Sequence, residues 1–222
     1  MTTRIGVVQF PGTNCEFDTA DALRLVGAEP VALWHGDSDL DGVDAVIIPG
    51  GFAHGDYLRP GAIARFSPMM EAVRDHADEG RPVIGVCNGF QVLTEAGLLP
   101  GALQKNAGLK FVCAPAELQV VSTRHALGAE LAVGDRLTIP INHFEGNFVC
   151  DDSTLGELRD NDQIVLRYVA NPNGSVDDIA GVSNQAGNVV GMMPHPERAT
   201  SPLLGSEDGM RLLRGLLAVA GV

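Results

Sequence analysis

In the first half of the chain, short apolar runs alternate with segments whose apolar positions recur every three or four residues. Arg4–Phe10 (RIGVVQF), Val31–His35, Ala45–Ile48 (AVII) and Pro82–Val86 read as buried strands. After the first comes a turn at Pro11-Gly12 and a helix from about Asn14, with Phe17, Ala20, Leu23 and Val26–Gly27 at helical spacing. Ser67 and Pro68 suit the N-cap and first turn of a second helix that runs to Gly80. Strand and helix in alternation predict a mostly parallel sheet covered on both faces, with function at the carboxyl ends of its strands. Pro49-Gly50-Gly51 and Cys87 both fall at such ends.

From about Phe111 the pattern shifts to shorter strands separated by turns. Glu117–Val121, Arg136–Ile141, Ile164–Val169, Ile179–Val182 and Val189–Met193 are the candidates, and Asn171-Pro172-Asn173-Gly174 is a strong turn. A last helix is expected over Asp208–Ala220, with Met210, Leu213, Leu217 and Ala220 on one face. No repeat, low-complexity segment or linker interrupts the chain, so one domain is expected over residues 1–222.

Composition narrows the class. A hydrophobic content of 45% with 27 glycines and 5% aromatics fits a compact α/β domain. The net charge of -13 argues against a broad nucleic-acid or anionic-membrane surface. The four cysteines, at 15, 87, 113 and 150, form no C-x-x-C pair, which argues against a zinc knuckle or a redox dithiol. Met1 to Arg4 leads directly into the run Ile5–Phe10, too short for the apolar core of a secretion signal, and no stretch approaches a membrane span. A cytoplasmic protein with reduced thiols is expected.

One stretch carries chemistry. In "VIGVCNGFQVLTEAG", residues 83–97, a strand passes into a helix through Cys87, with Gly85 two residues before it and Gly89 two after. A nucleophile at the apex of such a turn is pushed clear of the sheet, and its neighbours must be small for strand and helix to pass. The following helix N-terminus favours a thiolate. A buried core cysteine is the plainer alternative. A nucleophile needs a base, and the base an orienting group. In "MMPHPER", Pro194 and Pro196 hold His195 in extended backbone, so His195 and Glu197 project to the same side. Gly50-Gly51 could be merely a tight turn, or could bring a backbone N–H to an oxyanion hole shared with the Asn88 N–H. "GGFAHGDYLRPG", residues 50–61, lacks the pattern of a phosphate loop. His143 and Glu145 lack a third metal ligand, so they read as a polar loop and no metal is expected. Cys15, Cys113 and Cys150 read as structural, and Met69-Met70 as core.

Together "GVCNGFQ", the upstream "PGGF" and the downstream "PHPE" resemble the class I glutamine amidotransferases. More narrowly, "GGFAHGDYLRPGAIA", "GVCNGFQVLTEAGLLPGAL", "NPNGSVDDIAG" and "GMMPHPERA" resemble the small glutaminase subunits of phosphoribosylformylglycinamidine synthase, from Ile5 almost to the end of the chain. The resemblance implies a flavodoxin-like α/β fold with a mostly parallel central sheet flanked by helices, and extra short strands in the C-terminal half. It implies Cys87 as nucleophile, His195 as acid and base, and Glu197 as its orienter. Gly51 and Asn88 fall at the oxyanion-hole positions, and Gly50, Phe52, Gln91 and His143 at positions that hold the substrate glutamine. No cofactor is implied in this chain. ATP and magnesium belong to a large synthetase subunit, and a small third subunit completes the complex. "PINHFEGNF" departs from the family with Asn142 and Phe144 where alanine and glycine are usual, and Ser122–Glu130 and Ala114 also differ. Two rival classes remain: a catalytically silent binding subunit of the same fold, and an elbow-cysteine stress protein or peptidase.

Overall fold

A computed structural model describes residues 2–221; Met1 and Val222, the ends of the expected 1–222 domain, lie outside them. In chain order come β1 (Arg4–Gln9), α1 (Glu16–Leu25), β2 (Glu29–Trp34), β3 (Ala45–Ile48), α2 (Pro68–Asp78), β4 (Val83–Val86) and α3 (Asn88–Glu95). The second half adds β5 (Ala102–Gln104), β6 (Val112–Val120), β7 (Arg136–His143), β8 (Asn147–Val149), α4 (Asp152–Asp160), β9 (Ile164–Tyr168), β10 (Ile179–Ser183), β11 (Val189–Met192) and α5 (Gly209–Ala220).

Nine strands form one sheet in the order β2-β1-β3-β4-β11-β10-β9-β6-β7, and β5 pairs with β8 in a separate ribbon. The strands from β2 to β11 run parallel, and those from β10 to β7 extend the sheet by antiparallel pairing. The parallel part has the flavodoxin-like order with the switch between β1 and β3. Burial follows the pairing. β3, β4 and β11 are buried at every position, as strands covered on both faces must be. β6 and β7 alternate between buried and exposed positions along much of their length, the signature of a sheet with one wet face.

The expected α/β architecture is therefore the fold found, with local differences. α1 buries Thr19, Ala22 and Leu23, whereas Phe17, read as part of its apolar stripe, is 73% exposed. In α5 the buried stripe runs through Leu212, Leu213 and Leu216, so Met210 and Leu217 lie at its margin. Ser67 holds the N-cap of α2 without a side-chain cap bond, while Met69 and Met70 enter the core as expected. α4 was not expected, because Leu155 and Leu158 give it too little apolar periodicity. It is started by the Asp151 carboxylate, which accepts a 2.8 Å hydrogen bond from the Thr154 N–H.

The chain's last strand lies in the middle of the sheet. β11 pairs with β4 in the register Val189↔Val83 to Met192↔Val86. The segments that leave these two neighbouring strands, one through Cys87 and the other through His195, start side by side. The 2.7 Å hydrogen bond from the Cys87 N–H to the Met192 carbonyl ties them.

Candidate active site

Cys87 joins β4 to α3 with φ 52° and ψ -105°, a left-handed conformation that a side chain adopts only under constraint. The constraint is close packing. A Cβ on Gly89 would lie 1.9 Å from the Ile48 carbonyl oxygen, and one on Gly85 would lie 2.6 Å from the Gly89 oxygen. The helix can thus approach the sheet only through these two glycines, which is the elbow read from the sequence. The Cys87 sulfur is directed to the Asn142 carbonyl at 3.7 Å.

His195 enters after β11, its N–H donating to the Pro140 carbonyl at 2.8 Å. Its Nδ1 donates to Glu197 Oε1 at 2.6 Å, and both side chains are at least 98% buried. Burial opposes the imidazolium, but the Glu197 carboxylate and the nearby Cys87 and Cys15 sulfurs outweigh it and hold the His195 pKa well above the usual value. Among the described residues its Nε2 has no hydrogen-bond partner. Gly50 packs directly on this group: a Cβ there would stand 2.8 Å from His195 Cε1 and 3.5 Å from the Cys87 Cβ.

Four of the remaining expected site residues line one cleft of about 490 Å³, counting its open mouth, whereas Gly50 and Asn88 are not among its walls. Gly51, Phe52, Gln91 and His143 line it together with Cys87 and His195. The backbone at Gly50 and Phe52 is held by β1's following loop, through Cys15 N–H to Gly50 O at 3.1 Å and Phe52 N–H to Gly12 O at 2.9 Å. Asn88 is the first residue of α3. Its side chain accepts from the Ala53 N–H at 3.0 Å and donates to Asp56 Oδ1 at 3.1 Å and Gln91 Oε1 at 2.8 Å. Gln91 passes the connection on to the Glu145 carbonyl. The loop after β3, left-handed at His54, Asp56 and Leu58, is therefore clasped to the helix that carries the thiol. Burial, only partly offset by the Asn88 hydrogen bond, raises the Asp56 carboxyl to about 6.

His143, read as part of a polar loop, ends β7 and is 3% exposed. The orientation of Asn173 is set by Ser175, whose N–H donates to Asn173 Oδ1 at 3.1 Å, so Asn173 Nδ2 donates to His143 Nε2. The imidazole proton then sits on Nδ1. Burial and the His195 charge lower the His143 pKa to about 4, which keeps the ring neutral.

Three features lay outside the expectation. Cys15, read as a structural thiol, lines the cleft beside His195, with Arg198 Nη2 donating to its sulfur at 3.2 Å. Cys113, also read as structural, is exposed. Asp56 and Arg198 also belong to the walls. The available signal for Cys15 was its position just past the end of β1, the same sheet edge that presents Gly50 and Cys87. Chemically, a thiol at a helix N-terminus beside an imidazole braced by a carboxylate is a set suited to covalent acyl transfer.

Residues 2–208 match the model of the CobB/CobQ-like glutamine amidotransferase domain. Phosphoribosylformylglycinamidine synthase subunit PurQ of Rubrobacter xylanophilus is 57% identical over 219 residues, covering 99% of this chain and 100% of that one. The chain belongs to the PurQ family of glutamine amidotransferases. The PurQ subunit of Koribacter versatilis is 53% identical over 224 residues, with 96% and 97% of the two chains covered. Among solved structures, a chain in the structure of PurLQS from Thermotoga maritima superposes with a TM-score of 0.91 at 42% identity, over 98% of this chain and 99% of that one. A glutamine amidotransferase from Thermotoga maritima, at 16% identity and a TM-score of 0.66 over 99% and 98% of the chains, shares the fold. The PurQ-family fold thus carries the elbow, the His195–Glu197 pair and the clasped loop on one sheet edge.

Proposed function

We propose that this chain is the glutaminase subunit of a phosphoribosylformylglycinamidine synthase. It hydrolyses glutamine to glutamate and ammonia and delivers the ammonia to a synthetase subunit. That subunit uses ATP and magnesium to convert formylglycinamide ribonucleotide to formylglycinamidine ribonucleotide in de novo purine biosynthesis. Residues 1–222 act as one glutamine amidotransferase domain, in the cytoplasm, beside the large synthetase and a small third subunit. Among the described residues no helix is long and apolar enough to cross a membrane.

The Cys87 thiolate attacks the side-chain amide carbon of glutamine. The oxyanion that forms is met by the N–H groups of Gly51 and Asn88. His195, charged and braced by Glu197, gives its proton to the departing ammonia, leaving a thioester on Cys87. The neutral imidazole then takes a proton from water, whose attack releases glutamate and returns the thiol. Gly50 leaves room for the imidazole, Phe52 forms the rim, and Gln91 and His143 hold the substrate. His143 offers its Nδ1–H as a donor.

The observation that carries this reading is the pairing of β4 with β11, which sets Cys87 beside a buried His195–Glu197 pair. The test is the reconstituted three-subunit complex assayed with glutamine and with ammonia. Cys87→Ala is expected to abolish the glutamine-dependent synthesis and spare the ammonia-dependent one. Loss of both would make Cys87 a structural residue.

A further inference from the structure

The proposed reaction uses Cys87 and leaves a second buried thiol in the same cleft without a task. Cys15 is 2% exposed. Its sulfur, a ligand atom of His195 and a carboxylate oxygen of Glu197 all lie within 4.8 Å of one another. A zinc-type ion holds sulfur, nitrogen and oxygen donors at about 2.0–2.3 Å in a tetrahedron, which sets them roughly 3.3–3.7 Å apart. Closing the present triangle onto an ion takes side-chain shifts on the order of 1 Å. Glu197 Oε2, buried in the same group, has no hydrogen-bond partner among the described residues. A polar atom shielded from water and unpaired is unfavourable, and coordination through the carboxylate relieves that cost.

We propose that Cys15, His195 and Glu197 form a binding site for a thiophilic divalent cation of the zinc class, whose occupancy removes His195 from the reaction and stops glutamine hydrolysis. The inhibitory consequence rests on the glutaminase reading; the metal site does not.

Binding releases the thiol proton of Cys15 and the imidazole proton held by the coordinating nitrogen. The resulting thiolate and the Glu197 carboxylate balance the two positive charges, while Arg198, 3.2 Å from the Cys15 sulfur, supports the thiolate from outside the triangle. A donor set of sulfur, imidazole and a single carboxylate selects zinc-class ions over magnesium, which requires oxygen donors. Magnesium at the level needed for ATP chemistry therefore leaves the site empty. Cys87 lines the same cleft, but its sulfur is directed to the Asn142 carbonyl and is not one of the three donors.

Cobalt(II) is the probe, because a thiolate bound to it gives a near-ultraviolet charge-transfer band. In Cys87→Ala/Cys113→Ser/Cys150→Ser, Cys15 is the one thiol left of four. That chain is expected to bind a single cobalt with the band present, to lose the band when zinc is added, and to keep it in excess magnesium. Absence of the band overturns the proposal. In the otherwise unaltered chain, Cys15→Ser is expected to weaken zinc binding by at least about 10–100-fold, the loss that changing even a group behind a metal ligand brings. Zinc inhibition of glutamine hydrolysis by the complex, read against each variant's own zinc-free rate, is expected to shift by the same factor. Unchanged zinc affinity also overturns the site. If Cys15→Ser fails to fold, the chain with Cys15 alone decides the matter. A zinc-free wild-type complex that cannot hydrolyse glutamine would overturn the glutaminase reading and leave the cobalt result standing.

Discussion

His195 and Glu197, two residues apart, share a 2.6 Å hydrogen bond between side chains that are almost fully buried. The carboxylate holds the ring in place and favours its charged form against the opposing effect of burial. Glu197→Gln keeps the shape and removes the charge, so the His195 titration is expected to move to lower pH, as an NMR titration of the ring would record. His195→Ala removes the proton carrier itself, and its loss of glutamine hydrolysis is expected at about 10²–10⁴-fold. Glu197→Gln should lose less. Equal losses would mean that Glu197 does more than orient the ring.

Exposure and recognition make opposite forecasts for the thiols. Cys113 is exposed while Cys87 is 6% exposed, so an indiscriminate electrophile should reach Cys113 first. A glutamine-shaped electrophile is expected to modify Cys87 and spare Cys15, Cys113 and Cys150. Peptide mapping reads the order, and Cys113 labelled ahead of Cys87 by the glutamine analogue would count against a glutamine site.

Two glycines of the site are expected to fail differently. A Cβ at Gly89 meets backbone, the Ile48 oxygen at 1.9 Å, which cannot move without separating α3 from β3. Gly89→Ala should therefore destabilise the fold by about 1–3 kcal/mol or more in urea unfolding. A Cβ at Gly50 meets side chains, His195 Cε1 at 2.8 Å and the Cys15 sulfur at 3.0 Å. Gly50→Ala is expected to lose turnover out of proportion to stability, because the imidazole is what yields.

Asp56 makes stability depend on pH in a direction unusual for a carboxylate. Burial raises its pKa from 3.8 to about 6, so the folded state holds the proton more tightly than the unfolded one. Its contribution is fully present below about pH 3.8 and is lost as pH rises through about 6. Asp56→Asn stays neutral throughout. Its urea midpoint relative to the parent is expected to improve between pH 4 and 6 and to level off above. A difference that stays constant over that range would show that Asp56 is not buried by the clasp.

Three buried histidines other than His195 act in the opposite sense. Burial lowers His76, His125 and His143 to about 4 from 6.5, so each contributes stability above pH 6.5 that is lost as pH falls toward 4. Stability is expected to start falling as pH drops below about 6.5, and His125→Gln should reduce the slope of stability against pH in that window.

What was legible in the sequence followed period and local geometry. The runs at Ile5, Val46 and Val83 announced strands because both faces of a parallel sheet are covered, and Gly85, Cys87 and Gly89 announced the elbow because its sterics are local. α4 escaped because an aspartate cap and two leucines start a helix that periodicity does not mark. Phe17 misled because its spacing matched a face that α1 does not bury. The nearness of Cys15 to His195 is a product of strand order alone, and no spacing along the chain records it.

The place of β11 has a consequence for assembly. Its partner β4 lies about a hundred residues upstream, and every segment between them must already have been made before the two can pair. Closing so long a loop is entropically costly and slow relative to local contacts. During synthesis the thiol elbow can therefore form well before His195 and Glu197 exist, and the nascent chain carries a sulfur without its base. A fragment ending before Val189 should retain Cys87 and no glutamine hydrolysis, and its β4 should present an open edge to other chains. Chemical competence thus arrives last, with the strand that completes the middle of the sheet.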